Sequence, residues 1–181
     1  MADEADRLPE VVEAAVRLGN ELSTRGWMVA TAESCTGGEL ARALTEVGGS
    51  STWFERGFVT YSNQSKIDML GVSADALGTA GAVSEAVAAQ MAEGALTRSR
   101  AQLALAVTGI AGPGGATPDK PVGTVCFGWA AIDAAPLTET KSFAGDRAAV
   151  RRAAALHALR RAHELLAGLA AQSADGPTTK D

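Results

Sequence analysis

The sequence predicts an α/β fold: a single-domain, three-layer α/β/α sandwich with a mixed, mostly parallel sheet. Stretches with the pattern of strands alternate with stretches of helical spacing, as in folds that join parallel strands by helices. The stretch QLALAVTG at 102–109 is largely apolar, which indicates a strand covered on both faces. Aromatic residues make up only 4% of the chain, while alanine and glycine are plentiful. We therefore expect helices packed closely on the sheet through small aliphatic side chains.

A single core is expected, because 181 residues are too few for two comfortable domains. We expect a flexible N-terminus over 1–7, one folded domain over 8–169 and a disordered tail over 170–181. One or two antiparallel strands are expected near the end of the folded domain.

The first half of the chain contains two predicted helices and two predicted strands. Apolar residues recur at helical spacing over 8–25, and Gly26 ends that helix. The stretch WMVATAES at 27–34 predicts a short buried strand. A second helical stripe follows over 36–47, and GFVTYS at 57–62 predicts the second strand.

The second half begins with a predicted turn at 63–66. Ser84 is a suitable N-cap for a helix to about Thr97, and Glu85 is favourably placed near the positive end of that helix. Three further strands are predicted at 102–109, 124–132 and 138–145, and a long alanine-rich helix at 146–169.

Composition excludes several classes of protein. The net charge of −5, without a basic stripe, argues against a nucleic-acid partner. No apolar run is long enough to cross a membrane, and the acidic start lacks a signal-peptide core. Cys35 and Cys126 form no disulfide framework or metal spacing, which favours the reducing cytoplasm. His157 and His163 are six residues apart and do not share a helix face, so we expect solvated positions rather than metal ligands.

Polar residues follow three of the predicted strands, at Ser34, in the loop after Ser62 and in the loop after Thr108. Ligands of open α/β sheets bind at the carboxyl ends of the strands. The three segments are therefore expected at one edge of the sheet.

Ser34 has two interpretations. As a nucleophile, it stands at a strand-to-helix turn, where the following N–H groups can stabilise an oxyanion and Gly37 and Gly38 let a substrate approach. Alternatively, Ser34 or Thr36 only caps the next helix, although a glycine pair weakens a first helical turn. Cys35 is interpreted as a small buried side chain, because no imidazole partner for a thiolate is evident.

A serine nucleophile needs a base, and Lys66 is the candidate. It follows the second strand in TYSNQSK, near Tyr61 and Asn63, which could orient it. Neutral lysine accepts a proton, but its reference pKa of about 10.4 must fall to ~7–8 to serve near neutral pH. Partial burial beside an apolar wall can supply that shift. The alternative is an exposed lysine in a turn.

The third candidate is the glycine-rich stretch VTGIAGPGG at 107–115. Such turns after a buried strand offer backbone donors to anions, and Thr108 can point into the same site. The stretch matches neither the phosphate-binding loop nor the dinucleotide-binding pattern, so by itself it is a weak signal.

Six blocks of the sequence occur together in the order and spacing of one family: AESCTGG, GSSTWFERGFVTYSNQSK, GAVSE, VTGIAGPGG, KPVGTVCFGW and FAGDRAAVR. In these blocks the chain resembles the CinA C-terminal domain family of nicotinamide-nucleotide amidohydrolases, from about residue 8 to 168. The resemblance implies deamidation of nicotinamide mononucleotide to nicotinate mononucleotide and ammonia, within pyridine-nucleotide recycling and with no metal or organic cofactor. The nucleotide-hydrolysing domain of larger members is not recognised, so no pyrophosphatase activity is expected.

By its motifs the family places the nucleophile on Ser34 and its base on Lys66, with Tyr61 in the same block as a proton relay. N–H groups around 36–38 are expected to hold the oxyanion. Backbone donors of 109–115 or Arg147 are expected to bind the phosphate. The expected substrate-binding residues are Cys35, Thr36, Gly37, Gly38, Asn63, Thr108, Gly109, Ile110, Ala111, Gly112 and Arg147.

A binding module is the alternative from another class, one that kept a nucleotide or partner pocket and lost turnover. Intact Ser34 and Lys66 favour the enzyme. The alanine-rich helix faces favour a homodimer.

Overall fold

The computed structural model describes residues 9–174, and side chains as far as residue 168. This part of the chain contains five strands and six α-helices. The strands are β1 (Val29–Glu33), β2 (Phe54–Val59), β3 (Leu103–Gly109), β4 (Thr124–Ala131) and β5 (Leu137–Ser142). The helices are α1 (Glu10–Arg25), α2 (Glu39–Thr45), α3 (Asn63–Leu70), α4 (Ala74–Thr79), α5 (Glu85–Thr97) and α6 (Arg147–Ala174), with a 3₁₀ turn at Ser50–Thr52.

The five strands of the described chain form one mixed sheet in the order β2-β1-β3-β4-β5. β1 runs parallel to both β2 and β3. β4 pairs antiparallel with β3 and with β5, so the other four strands share one direction. The predicted fold class is confirmed, including the antiparallel pairing near the end.

Helices cover both faces of the sheet in two separate cores. α1, α2 and α6 pack on one face, against large side chains such as Val29, Leu105 and Phe127. α3, α4 and α5 pack on the other face, against small ones such as Ala30 and Ala104. Because successive side chains of a strand point to opposite faces, the alanines that alternate along β1 and β3 make the second face small.

The small side chains on this face let α5 approach the sheet closely. The approach is especially close at Gly128 of β4. A Cβ at Gly128 would overlap the carbonyl oxygen of Ala88 in α5. We expect Gly128→Ala to lower the free energy of unfolding by about 1–3 kcal/mol, the range of an overpacked core, as measured by urea denaturation.

Gly168→Ala is the matched control for this prediction. A Cβ at Gly168, in α6, meets no neighbour within 4 Å. Removing a helical glycine there is expected to leave stability unchanged or raise it by up to about 1 kcal/mol. Equal urea midpoints for Gly128→Ala and the wild type would contradict the close packing of α5.

The starts of two helices differ from the prediction. α2 begins at Glu39 rather than 36, because Gly37 (φ 60°) and Gly38 (φ 97°) adopt left-handed conformations that an α-helix excludes. The polar stretch at 63–66 is the first half of α3 rather than a turn. Ser62 and Ser65 form a reciprocal capping box there, which starts a helix in a sequence of low apolar periodicity.

Several other strand and helix ends also shift by a few residues. β2 and β5 begin and end earlier than expected, and α6 continues past 169 to Ala174. Alanine and glutamine have favourable helix propensities at these positions. The predicted flexible segment 1–7 and the end of the predicted tail, 175–181, lie outside the described residues.

His157 is not the solvated residue that its helix position predicts. Its ring packs among Phe127, Phe143 and Trp129, and its Nε2 lies 2.8 Å from the Glu139 carboxylate of β5. Phe127 and Trp129 belong to β4 and Phe143 follows β5, so the sheet under α6 supplies these rings. His163 is half-buried beside α1.

Cys35 and Cys126 are both buried free thiols. Among the residues that the structure describes, no helix is long and apolar enough to cross a bilayer.

Candidate active site

Three parallel strands end at one edge of the sheet, as predicted, and a cleft lies there. The Ser34 N–H donates to the Val107 carbonyl (2.9 Å), and the Thr60 N–H donates to the Glu33 carbonyl (2.8 Å). These bonds continue the ladders of β1 just beyond its last residue. The cleft that opens at this edge has a volume of about 250 Å³.

Most of the predicted site residues line this cleft: Ser34, Cys35, Tyr61, Asn63, Lys66, Thr108, Gly109, Ile110, Ala111, Gly112 and Arg147. Thr36, Gly37 and Gly38 are not among the lining residues, and they follow Ser34 in the turn that leads to α2. Ala82 and Val83 form a wall that the sequence analysis did not assign. They belong to the GAVSE block, but their apolar side chains carry no chemical signal.

Ser34 and Lys66 are in direct contact, although 32 positions separate them in the sequence. The Lys66 Nζ lies 2.9 Å from the Ser34 Oγ and 2.7 Å from the Thr60 carbonyl oxygen. Lys66 is only 1% exposed, so the alternative of an exposed turn lysine is wrong. The capping box at Ser62 begins α3 and turns this side chain inward from its first turn.

The surroundings of Lys66 favour its neutral form. Burial lowers the pKa of Lys66, and the Cys35 thiol acts weakly in the opposite direction. No carboxylate of the described residues forms an ion pair with it. With a neutral amine, the Ser34 O–H can donate to the Nζ lone pair while an Nζ–H donates to Thr60. This arrangement suits a general base.

The helix after Ser34 is capped by Glu33, so the interpretation of Ser34 or Thr36 as its cap is wrong. The buried Glu33 carboxylate accepts N–H bonds from Gly38 (2.9 Å), Leu40 (3.0 Å) and Ala41 (2.9 Å). Sequence reasoning missed Glu33. The sequence does contain an indication of its role. A charged residue at the end of an apolar strand needs polar partners when it is buried.

Two of the N–H groups expected to hold an oxyanion are already occupied. The Gly37 N–H donates to the Ser34 carbonyl at 3.1 Å, and the Gly38 N–H donates to Glu33. Within the described chain, the N–H groups of Cys35 and Thr36 donate no hydrogen bond to another residue. The unpaired N–H groups next to Ser34 are therefore those of Cys35 and Thr36. The expectation that residues 36–38 hold the oxyanion does not fit Gly37 and Gly38.

Cys35 is a buried side chain, as expected, and its surroundings disfavour the thiolate. Its side chain is 6% exposed, and burial raises the pKa of the Cys35 thiol to about 12. The thiol is therefore protonated at neutral pH, whereas thiolate is the nucleophilic form.

Tyr61 and Arg147 meet across the mouth of the cleft. The Arg147 guanidinium donates to the Tyr61 hydroxyl (2.6 Å) and to the Gly112 carbonyl (2.8 Å). The direct contact between Lys66 and Ser34 leaves no step that requires a relay through the phenol. The catalytic role of Tyr61 stays a prediction.

The hydroxyl of Thr108 braces the far wall of the cleft. It donates to the Ala82 carbonyl at 2.8 Å, and the Lys120 ammonium donates to the Ala80 carbonyl nearby. Asn63 stands at the start of α3 and makes no side-chain hydrogen bond to Lys66 among the described residues. It lines the cleft without orienting the lysine.

The lining of the cleft carries no negative charge. None of its lining residues, all within the described range, has a carboxylate, and Arg147 places a guanidinium there. Along the glycine-rich loop, the N–H groups of Ala111, Gly112, Gly114 and Gly115 donate no hydrogen bond within the described residues. Free backbone donors beside a guanidinium are a common setting for phosphate.

Known proteins are similar to this chain in both sequence and fold. The chain is 52% identical over 150 residues to the nicotinamide-nucleotide amidohydrolase PncC of Enterobacter agglomerans, which covers 83% of this chain and 92% of that relative. It is 50% identical over 150 residues to the PncC of Escherichia coli K12, with 83% and 91% covered. The crystal structure of the competence/damage inducible protein CihA from Agrobacterium tumefaciens superposes with a TM-score of 0.84 at 48% identity, covering 90% and 97%.

The family model for the CinA C-terminal domain matches residues 12–166. This range contains every strand, the turn with Ser34, the buried Lys66 and the glycine-rich loop. The chain therefore belongs to the CinA C-terminal domain family.

Proposed function

We propose that this protein hydrolyses the carboxamide of nicotinamide mononucleotide to nicotinate mononucleotide and ammonia, in pyridine-nucleotide recycling, with Ser34 as nucleophile and Lys66 as base. The observation that carries the proposal is the 2.9 Å contact between the buried Lys66 Nζ and the Ser34 Oγ. Two relatives at 50–52% identity bear the name of this activity.

The first half of the reaction forms an acyl-enzyme. The Ser34 oxygen attacks the carboxamide carbon while its proton passes to neutral Lys66. The N–H groups of Cys35 and Thr36 stabilise the oxyanion. Lys66 then gives the proton to the departing nitrogen, the C–N bond breaks and ammonia leaves.

The second half restores the serine. Water attacks the ester carbon and gives a proton to Lys66, and the C–O bond to Ser34 breaks as the hydroxyl regains that proton. The products are free enzyme and nicotinate mononucleotide, whose new carboxyl group releases its proton to the solvent. Apart from water, each step uses groups of this chain.

The phosphate end of the substrate is assigned to the mouth of the cleft. Arg147 already binds the Gly112 carbonyl and the Tyr61 hydroxyl there, and the free N–H groups of the glycine-rich loop lie beside it. A guanidinium with backbone donors binds a phosphate monoester well. This assignment predicts that the phosphate is needed for efficient turnover.

Ammonia release from a panel of four amides tests the proposal: nicotinamide, its riboside, its mononucleotide and the dinucleotide. We expect the highest kcat/KM for the mononucleotide, with large losses for the two amides that lack phosphate. A protein that binds the mononucleotide but releases no ammonia would be a binding module instead.

Cys35→Ala separates the serine from the neighbouring thiol. Because the thiol is protonated and only its backbone N–H is assigned to the oxyanion, we expect kcat/KM within about tenfold of the wild type. The measurement is steady-state ammonia release from the mononucleotide. A loss of several orders of magnitude would transfer the nucleophile to Cys35.

A further inference from the structure

We propose that Glu33 and Arg151 are positioning residues, which hold the turn at 34–38 so that the N–H groups of Cys35 and Thr36 stay directed at the reacting carbonyl. Neither side chain lines the cleft, so each acts through the backbone of the turn. The inference rests on the serine–lysine mechanism proposed above and names what keeps its oxyanion site in place.

Glu33 fixes the far end of the turn. Alternation along β1 puts Glu33 on the same face as Val29, the face that α2 covers. Its carboxylate is fully buried and accepts three N–H bonds from residues 38–41. Gly38, the N-cap residue of α2, has no side chain for this purpose. Glu33 is thereby hydrogen-bonded to the start of α2, which fixes the distance that the turn at 34–38 spans.

Arg151 fixes the middle of the turn. It lies on α6 one turn after Arg147, and its guanidinium donates two bonds to the Thr36 carbonyl, from Nε (3.0 Å) and Nη2 (2.6 Å). The N–H of the same peptide unit belongs to Gly37 and donates to the Ser34 carbonyl. Both the C=O and the N–H of this peptide unit are therefore hydrogen-bonded. Because this unit is fixed, the preceding peptide unit, which carries the Thr36 N–H, is less free to rotate.

These bonds decide which donors remain open. The N–H groups of Gly37 and Gly38 are used to hold the turn, and those of Cys35 and Thr36 are left for the substrate. Oxyanion donors act through their preorganised direction, so a turn that can rotate loses much of their effect. Arg151 bonds the Thr36 carbonyl, which lies two residues from Ser34 and also accepts the Glu39 N–H at the start of α2 (3.3 Å).

The test compares Arg151→Ala, Arg151→Lys and the control Arg152→Ala, whose side chain is the exposed neighbour on α6. Two rates are measured: ammonia release from the mononucleotide and labelling of Ser34 by a fluorophosphonate. In the labelling, the Ser34 oxygen bonds to phosphorus, fluoride leaves and the proton passes to Lys66. The phosphoryl oxygen takes the place of the oxyanion.

We expect Arg151→Ala to lower kcat and the labelling rate by about 10- to 100-fold, the effect of a misplaced or lost oxyanion donor, with KM changed little. Arg151→Lys is expected to recover part of both rates, because an ammonium can donate one bond to the Thr36 carbonyl. Arg152→Ala is expected to match the wild type. Glu33→Gln is expected to lower kcat as well, since its amide turns an N–H donor toward the donors of α2.

Wild-type kcat and labelling in Arg151→Ala would overturn the inference. So would a loss confined to KM, or an equal loss in Arg152→Ala. If Glu33→Gln does not fold, the Arg151 variants decide the question. If the wild type is labelled at Ser34 but releases no ammonia from the mononucleotide, the proposed function fails, and the labelling rates still decide this inference.

Discussion

Ser34→Ala is expected to abolish turnover, with a fall in kcat on the order of 10⁶, the scale of losing a serine nucleophile. The variant lacks the attacking oxygen, and no neighbouring group can replace it. The Cys35 thiol is protonated because its pKa is raised to about 12. Single-turnover deamidation of the mononucleotide measures the effect without interference from product release.

The Ser34→Ala protein should remain folded and should still bind the mononucleotide. The proposed phosphate partners, Arg147 and the glycine-rich loop, lie at the mouth of the cleft and do not involve the serine. Circular dichroism and titration calorimetry check both points. A near-normal rate in Ser34→Ala together with an inactive Cys35→Ala would overturn the assignment.

Lys66→Ala is expected to be nearly as damaging as Ser34→Ala, and the double variant no worse than either. Residues that act as one unit in catalysis show such non-additive losses. Lys66→Arg should not recover activity, because a guanidinium stays protonated and cannot accept the serine proton. The Lys66 Nζ contacts both Ser34 and the Thr60 carbonyl, so a larger head group is also misplaced.

The pH profile gives an independent reading of Lys66. Burial lowers its pKa, and the neutral amine is the active form, so kcat/KM should be low in acid and rise with pH through that lowered pKa. The residual rate of Lys66→Ala should lack this rise. An activity that falls as pH rises through the same range would exclude Lys66 as the base.

Much of the fold could be predicted because its signals are local. The buried strand at 102–109, the Ser84 cap and the amphipathic N-terminal helix depend on side chains a few residues apart, and each was confirmed. Gly37 and Gly38 show the limit of such reasoning. A helical stripe over 36–47 is compatible with either glycine conformation, and only the path of the folded chain decided that both are left-handed.

Lys66 could be predicted as a candidate, but its burial could not. Its local sequence is polar and is as typical of an exposed turn as of a helix. Only the packing of α3 against the edge of the sheet brings the Lys66 Nζ to Ser34. The surroundings of His157 could not be predicted either. Its helix position indicates solvent, whereas aromatic rings that are distant in the sequence leave it only half-exposed.

The sequence by itself determined the family, the order of the strands and of the helices other than α3 and α4, and the identities of the residues proposed for the chemistry. Tertiary structure alone decided the pairing of Lys66 with Ser34, the use of Glu33 as a helix cap and the two bonds from Arg151 to Thr36. The physical reason is that hydrogen bonds form between neighbours in space. β1, α3 and α6 are distant along the chain and meet only when the sheet and its helices pack.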